Sequence, residues 1–519
     1  MRAMQAPNVR NYTIPAPVGG IYNRGPEELV NEFFARDIVN MIPDQDLNIR
    51  KGYAEHASGM TGDVEFLYEH VKPDGTRVLL AGANKNIYNA TSSGTATDLT
   101  SSLANFSNNR WQAVTLGGTT IIVNGADAPL AFNGTAISTG GPQFTGSGLT
   151  ETNLINASVY KTRLYLVEAN STSIWYGGVG AITGALTELD TGDQLRKGGY
   201  VLYAGSWTRD TGAGMEDVFL IITSRGEILL YTGNYPGDTD TWEIVGRFQI
   251  PEPLGYRAIF SIPGDVAIIT VGGTFLISAL VAANDVGAQL TDYTENISKP
   301  FGEDARHYQT NWGWQGCYYG ARGWTIINVP IAEDSRSKQW VSKLVNNPKS
   351  GKLINSWTRF ENINAYSWSE FNRGLFFGGD DGKIYRADYG YNDDGSSIDI
   401  SVKHAFSYLG SRNTKKQITA ARSLMRASSS IELGYGVDMD FRSDGEVSSI
   451  SNSAEASTSW GSEWGSSWGG IGASVPFQEW EMIASNTGYA ASLKLEAQFK
   501  NINFELAATN LHYLPGGNF

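Results

Sequence analysis

The chain has 519 residues, 41% of them hydrophobic and only 18% charged, with 60 Gly, 25 Tyr, 21 Phe, 14 Trp and a formal net charge of −14. That acidic balance excludes a surface whose main task is gripping phosphate backbones, which needs clustered Lys and Arg, but it does not exclude DNA passing nearby. No apolar run approaches the roughly 20 residues needed to span a bilayer, and the opening Met1-Arg-Ala-Met-Gln-Ala-Pro7 lacks an apolar signal core, so neither a membrane span nor a signal peptide is expected.

Residues 1–50 differ in character from the rest of the chain. Pro15, Pro17, Gly19 and Gly20 punctuate an extended arm with few apolar groups to offset an ordering entropy of about 1–2 kcal/mol per backbone residue. Such an arm is expected to order only against a neighbouring subunit. Within Pro26–Asn40, Leu29, Val30, Phe33, Phe34 and Val39 predict one short helix. The alternation of Leu47–His56 then leads into a repeat.

Between Lys51 and Ser397 a turn rich in Gly, Asp or Asn is followed by a short apolar strand, a second turn and another strand. The copies are Arg77–Ala81 with Asn86–Tyr88, Thr119–Val123 with Pro129–Phe132, and Tyr160–Val167 with Ser173–Tyr176. They continue as Asp217–Thr223 with Glu227–Tyr231, Pro263–Val271 with Thr274–Ile277, Ala321–Val329 with Gln339–Leu344, and Asn372–Phe377 with Lys383–Arg386. A period averaging about 50 residues suits four-stranded propeller blades, not helical repeats. The expectation is an all-β chain with a β-propeller of about seven blades, six to eight, over 51–397. Asp334–Lys352 reads as a polar insertion that breaks the sixth blade.

After Asn392-Asp-Asp-Gly395 the strands lengthen: Ile398–Phe406, Ile418–Met425, Ser430–Phe441 and Lys494–Glu505 predict a C-terminal β-sandwich or barrel over 398–519. Between them runs the Ser/Gly-rich Ser443–Gly472, in which Trp460, Trp464 and Trp468 recur every fourth residue. The interleaved Gly and Ser argue against a helix. The indoles either insert into a neighbouring surface or pack on their own domain.

Chemistry-bearing residues form no recognisable constellation. Glu65, Asp217, Asp265, Asp304 and Asp380 fall at strand ends or turns, where Asp normally caps backbone N–H groups; nothing pairs two of them as glycoside hydrolysis requires. The sialidase motif Ser-x-Asp-x-Gly-x-Thr-Trp is absent, and Asp238–Trp242 is a faint echo. His56, His70, His307, His404 and His512 include no close pair, which argues against a zinc site. Asn392–Gly395 has only a weak capacity for a cation. Cys317 is the only cysteine, so an internal disulfide is excluded and a buried free thiol is expected. Asn-x-Ser/Thr triplets at Asn89, Asn105, Asn133 and Asn170 read as turn chemistry. The expectation is no catalytic residue, no metal and no cofactor.

Ile14–Gly20, Asn40–Pro43 and Arg50–Gly59 resemble the opening of structural proteins from short-tailed phages. The Trp460–Trp468 loop, Asn486–Ser492 and Leu511–Gly517 are similar to the end of the same group. The resemblance is to the tail nozzle, or tail tubular protein B, family. It implies a propeller-bearing subunit of a homohexameric ring, the distal tube below the adaptor, through which genomic DNA is retained and then ejected without sequence-specific binding. It further implies contact with adaptor (head–tail connector) and tail fibre or spike proteins, and a place in the virion tail after assembly in the host cytoplasm. It carries over no catalytic residue. Two alternatives stay open: another head or tail structural protein, and a carbohydrate-binding or carbohydrate-cleaving propeller, which would use the abundant indoles to stack on sugars.

Overall fold

The computed structural model describes residues 9–103, 106–138, 141–210, 215–286, 291–333, 336–347, 351–443, 447–452, 475–477, 480–483 and 487–516. The local rule that builds most of it is the two-residue hairpin. Asn84-Lys85, Gly117-Gly118, Lys161-Thr162 and Asn372-Arg373 all carry two successive positive φ values, the twist that lets antiparallel strands continue directly into each other. Three of these turns advertise themselves with Gly or Asn. Lys161-Thr162 does not, and the predicted single strand Tyr160–Val167 is instead two, Leu154–Tyr160 and Arg163–Glu168.

Seven antiparallel sheets succeed one another along the chain. Blade 1 begins with Val64–Val71, blade 2 with Gln112–Leu116, blade 3 with Leu154–Tyr160 and blade 4 with Val201–Asp210. Blades 5, 6 and 7 begin with Ile259–Ile262, Gln315–Tyr319 and Ser367–Phe371. Each first strand lies against the sheet of the next blade, and that of blade 7 against that of blade 1, so the ring closes as a seven-bladed propeller. The fourth strand of blade 7 is Tyr53–Ser58, which pairs antiparallel with Ile384–Ala387 and carries the short Gly94–Thr95 on its outer edge. Residues from both ends of the repeat therefore share one blade and close the ring without a covalent link.

The sixth blade is not interrupted. Arg336–Asn346 is its third strand, paired along its length with Trp324–Ala332 and Leu353–Phe360; its middle, residues 339–342, is buried on both faces, so the segment's polar residues sit in a regular strand and not an insertion. Two helices that the sequence pattern does not reveal, α1 (Ile277–Val286) and α2 (Ser298–Tyr308), join blades 5 and 6. Asp304 on α2 accepts from Lys338 Nζ at 2.7 Å and Trp340 Nε1 at 2.9 Å, pinning that helix to blade 6.

The remaining strands form a sandwich. One sheet contains Met41–Pro43, Leu47–Ile49, Phe504–Pro515 and Lys416–Ala427; the other runs Ala35–Val39, Ile398–His404, Ala491–Phe499, Ile431–Met439 and Ser448–Asn452. The predicted strand Lys494–Glu505 is two strands separated by a turn at Asn501 (φ 59°). Ile38, Met41, Leu47, Ile400, Leu433, Leu495, Leu506 and Leu511 bury between the sheets, in one cluster with Trp340 and Trp357 of blade 6. Blade 6 runs into the second sheet through Val39, which pairs parallel with Arg359.

The structure corrects three expectations for residues 1–50. Arg10–Pro15 pairs antiparallel with Phe504–Pro515 of the same chain, and Ile14, Ala16 and Ile21 are buried, so this stretch orders against its own sandwich. The predicted helix is one 3-10 turn, Glu27–Leu29, followed by the strand Ala35–Val39; the sheet edge offered by Ile398–His404 outweighs a helical spacing whose propensity is a weak prior. Nor do residues 1–50 stand apart as a unit: 35–49 belong to the sandwich with 398 onward, while the propeller runs from 53–58 to 384–387. The Trp460, Trp464 and Trp468 loop lies outside the described residues.

Candidate functional site: the propeller axis and its closure

First strands of propeller blades face the axis, and here two small cavities lie among their side chains. A cavity of about 180 Å³ is lined by Glu65–Tyr68 of blade 1, Trp111–Ala113 at blade 2, Arg257 and Ile259 at blade 5, and Gln315 and Gly316 of blade 6. Arg257 also lines a second cavity of about 160 Å³ with Arg110, Tyr256, Trp312 and Glu333. The Tyr256 hydroxyl reaches across to the Arg110 carbonyl at 3.4 Å. Gly316 permits the close approach of blades 5 and 6, since a Cβ there would lie 1.9 Å from the Phe260 ring.

Arg257 is only 8% exposed. Its Nη2 donates to Gln315 Oε1 at 2.6 Å and to the Tyr366 carbonyl at 2.9 Å, and burial lowers its guanidinium to about 10. Arg110 and Arg257 stand 4.6 and 5.3 Å from the Trp312 ring, close enough for cation–π attraction. Burial raises the Glu65 carboxyl above the usual carboxylate range, against the pull of Arg110 and Arg257; its nearest ion-pair contact is Arg110 Nε at 4.0 Å.

The other sequence candidates lie apart, each in a local structural role. Asp217 accepts from Thr208 Oγ1 at 2.6 Å. Asp265 accepts the Ser278 backbone N–H at 3.1 Å, at the start of α1, and burial raises its carboxyl. Asp380 meets Asn364 Nδ2 at 3.5 Å, and burial raises it too. Asp238 accepts from Thr241 Oγ1 at 2.7 Å in a turn, a bond that holds its carboxyl below the usual range. His56 bonds the Ala90 carbonyl, His70 the Thr120 hydroxyl and His307 the Glu303 carbonyl; His512 stacks on Trp480. His404 is buried, with no partner on either ring nitrogen among the described residues, and burial lowers its pKa to about 4. Cys317 packs against the cluster shared by blades 6 and 7, and burial pushes its thiol up to about 12. Asn89 and Asn133 bond the backbone two residues on. Asn105 lies outside the described residues.

The Asn392–Gly395 turn has a different role from cation binding. Asp393, 4% exposed, forms a two-pronged ion pair with Arg50, itself 1% exposed, at 2.7 and 2.6 Å. Arg50 Nε donates to Asn40 Oδ1 at 2.9 Å, and its remaining donors reach the Lys51 and Glu361 carbonyls at 3.1 and 3.4 Å. Asn40, at φ 56°, in turn donates to the Asp399 carbonyl at 2.7 Å. Gly52 runs beside this knot, where a Cβ would fall 1.7 Å from the Asn392 carbonyl oxygen. The N-terminal hairpin, the propeller closure, blade 6 and the sandwich thus meet at one guanidinium. Sequence reasoning missed it because its partners are 343 residues apart; the one available signal was an Arg amid the alternation of Leu47–His56.

No family model matches the chain, and no curated protein does either. Among solved structures, the WD40 β-propeller domain of Doa1 is similar at 12% identity and a TM-score of 0.37, over 64% of this chain and 97% of that one. Raptor from Chaetomium thermophilum is similar at 10% identity and a TM-score of 0.37, over 65% of this chain and 29% of that one. The protein is of the all-β class, with a β-propeller fold.

Proposed function

We propose that this protein is a subunit of a bacteriophage tail nozzle, a ring whose lumen retains genomic DNA and then conducts it outward. The observation that carries the reading is where the family-like segments lie. Ile14 and Pro15 sit on the strand paired with Phe504–Pro515, which contains Leu511; Asn40 and Arg50 form the knot; Ser492 bonds the His404 carbonyl within the second sheet. Segments from both chain ends that resemble nozzle proteins thus build one body, joined to the propeller through blade 6. A tube wall under internal DNA pressure needs such a stiff joint.

The net charge of −14 supports the same reading. Carboxylates facing a channel repel phosphates, so DNA slides without the counterion-releasing contacts that would hold it, and screening over about 8 Å at physiological salt keeps that repulsion modest. The cavities on the propeller axis, about 180 and 160 Å³, are too small for a nucleic acid strand, so the conduit is the lumen between copies and not the axis of any one. A homohexamer with heterologous interfaces closes such a ring, with the adaptor and tail fibres as its partners. Native mass spectrometry and electron micrographs of the purified protein test this: a six-copy ring with an open lumen is expected. A monomer with affinity for glycans, or a ring that binds DNA tightly and salt-sensitively, would refute it in favour of a carbohydrate-acting propeller or another phage structural protein.

A further inference from the structure

Buried hydrogen-bond donors of residues that line the two axial cavities lack acceptors among the described residues. Arg257 Nη1, Trp111 Nε1 and Trp312 Nε1 are all buried and have no hydrogen-bond partner among the described residues. Trp111 and Arg257 line the first cavity, and Trp312 and Arg257 the second. Arg257 forms no ion pair among the described residues: Glu65, the acid on the first cavity's wall, has its ion-pair contact with Arg110, and Glu333, the acid lining the second, accepts the Trp312 backbone N–H at 2.7 Å. Buried donors in native proteins almost always meet an acceptor, and a desolvated cation is costly unless a counter-charge meets it.

We propose that the propeller axis binds a small oxyanion, a carboxylate or phosphate group, in the second cavity, held by Arg257 and the indole N–H of Trp312 with Arg110 at the outer end. Three observations converge on this chemistry. The unmatched groups are all donors, so the missing partner is an acceptor. Two guanidiniums lie against one indole, and guanidinium forks match the oxygens of carboxylates and phosphates. Cavities of about 180 and 160 Å³ have room for a small anion with water, but not for a nucleic acid strand. The site does not depend on the assembly reading, since all its residues come from one chain.

Calorimetric titration of the full-length protein at constant ionic strength tests it, with inorganic phosphate, acetate and glucuronate as probes and glucose as the neutral control. Saturable binding of at least one anion and none of glucose is expected, weakened tenfold or more in Arg257→Gln. Arg110→Gln, at a side chain 44% exposed and so tolerant of replacement, should weaken it several-fold even if Arg257→Gln fails to fold. Preference for phosphate would assign a phosphate ligand; acetate and glucuronate over phosphate would assign a carboxylate, and glucuronate over acetate would place it on a sugar. No saturable binding of any anion, or unchanged binding in both variants, would overturn the proposal.

Discussion

Replacing Arg50 by Met tests whether one buried guanidinium holds the propeller to the sandwich. Methionine keeps the length of the side chain and its apolar contact with the Phe360 ring, 5.6 Å from the guanidinium carbon, while removing both bonds to Asp393 and the one to Asn40. Asp393 would then be an uncompensated charge at 4% exposure, and breaking a buried pair in this way costs about 3–5 kcal/mol. With a urea slope of about 3 kcal/mol/M or more for a chain of this size, the midpoint should fall by about 1 M. Tryptophan fluorescence reports the transition, because Trp340 and Trp357 lie in the core that the knot seals. Asp393→Leu alone strands the cation and should cost a similar amount. The double variant removes both charges together, so it should lose far less than the sum, with a coupling energy above about 2 kcal/mol. Strictly additive single losses, or an Arg50→Met loss under about 1 kcal/mol, would refute the reasoning.

Other sites give outcomes of their own. His404, lowered to about 4 by burial, stays neutral in the fold while the unfolded chain takes up a proton near pH 6.5, so stability should fall as pH drops from about 6.5 to 4, by about 3 kcal/mol in all; His404→Phe should flatten that limb in pH-dependent urea unfolding. Lys416, 1% exposed, donates its ammonium to the Ser411, Thr414 and Tyr489 carbonyls, so Lys416→Met leaves acceptors stranded and should cost about 1–3 kcal/mol or more in thermal unfolding. Deleting Met1–Gly25 removes the Arg10–Pro15 strand and buried Ile14, Ala16 and Ile21, about 1.5–3 kcal/mol for each large side chain; the sandwich should unfold earlier in calorimetry, and an unchanged trace would show the strand to be dispensable. Gly316→Ala should loosen the contact between blades 5 and 6, seen as faster amide exchange in Gln315–Tyr319.

The sequence alone determined the hairpins. Thr119–Val123 begins and ends where predicted, and Arg77–Ala83, Glu227–Thr232 and Gly374–Gly378 were each found to within a few residues, because a Gly or Asn turn between short apolar strands is a local instruction. Their spacing, irregular but averaging about 50 residues, was enough to indicate about seven blades. Tertiary structure decided what pairs with what. Ala35–Val39 carries a helical pattern yet lies between Arg359 and Ile398–His404, since the gain in filling a sheet exceeds the few tenths of a kcal/mol by which propensities differ. Arg336–Asn346 looks like a polar insertion because it carries Lys, Arg, Ser and Gln, yet its residues 339–342 are buried on both faces of the sheet. The closing strand Tyr53–Ser58, the Arg50–Asp393 pair and the axial site around Arg257 bring together residues tens to hundreds of positions apart. Each such contact is specified by burial and unmet hydrogen-bonding capacity in the folded ring, quantities that exist only once the ring has closed.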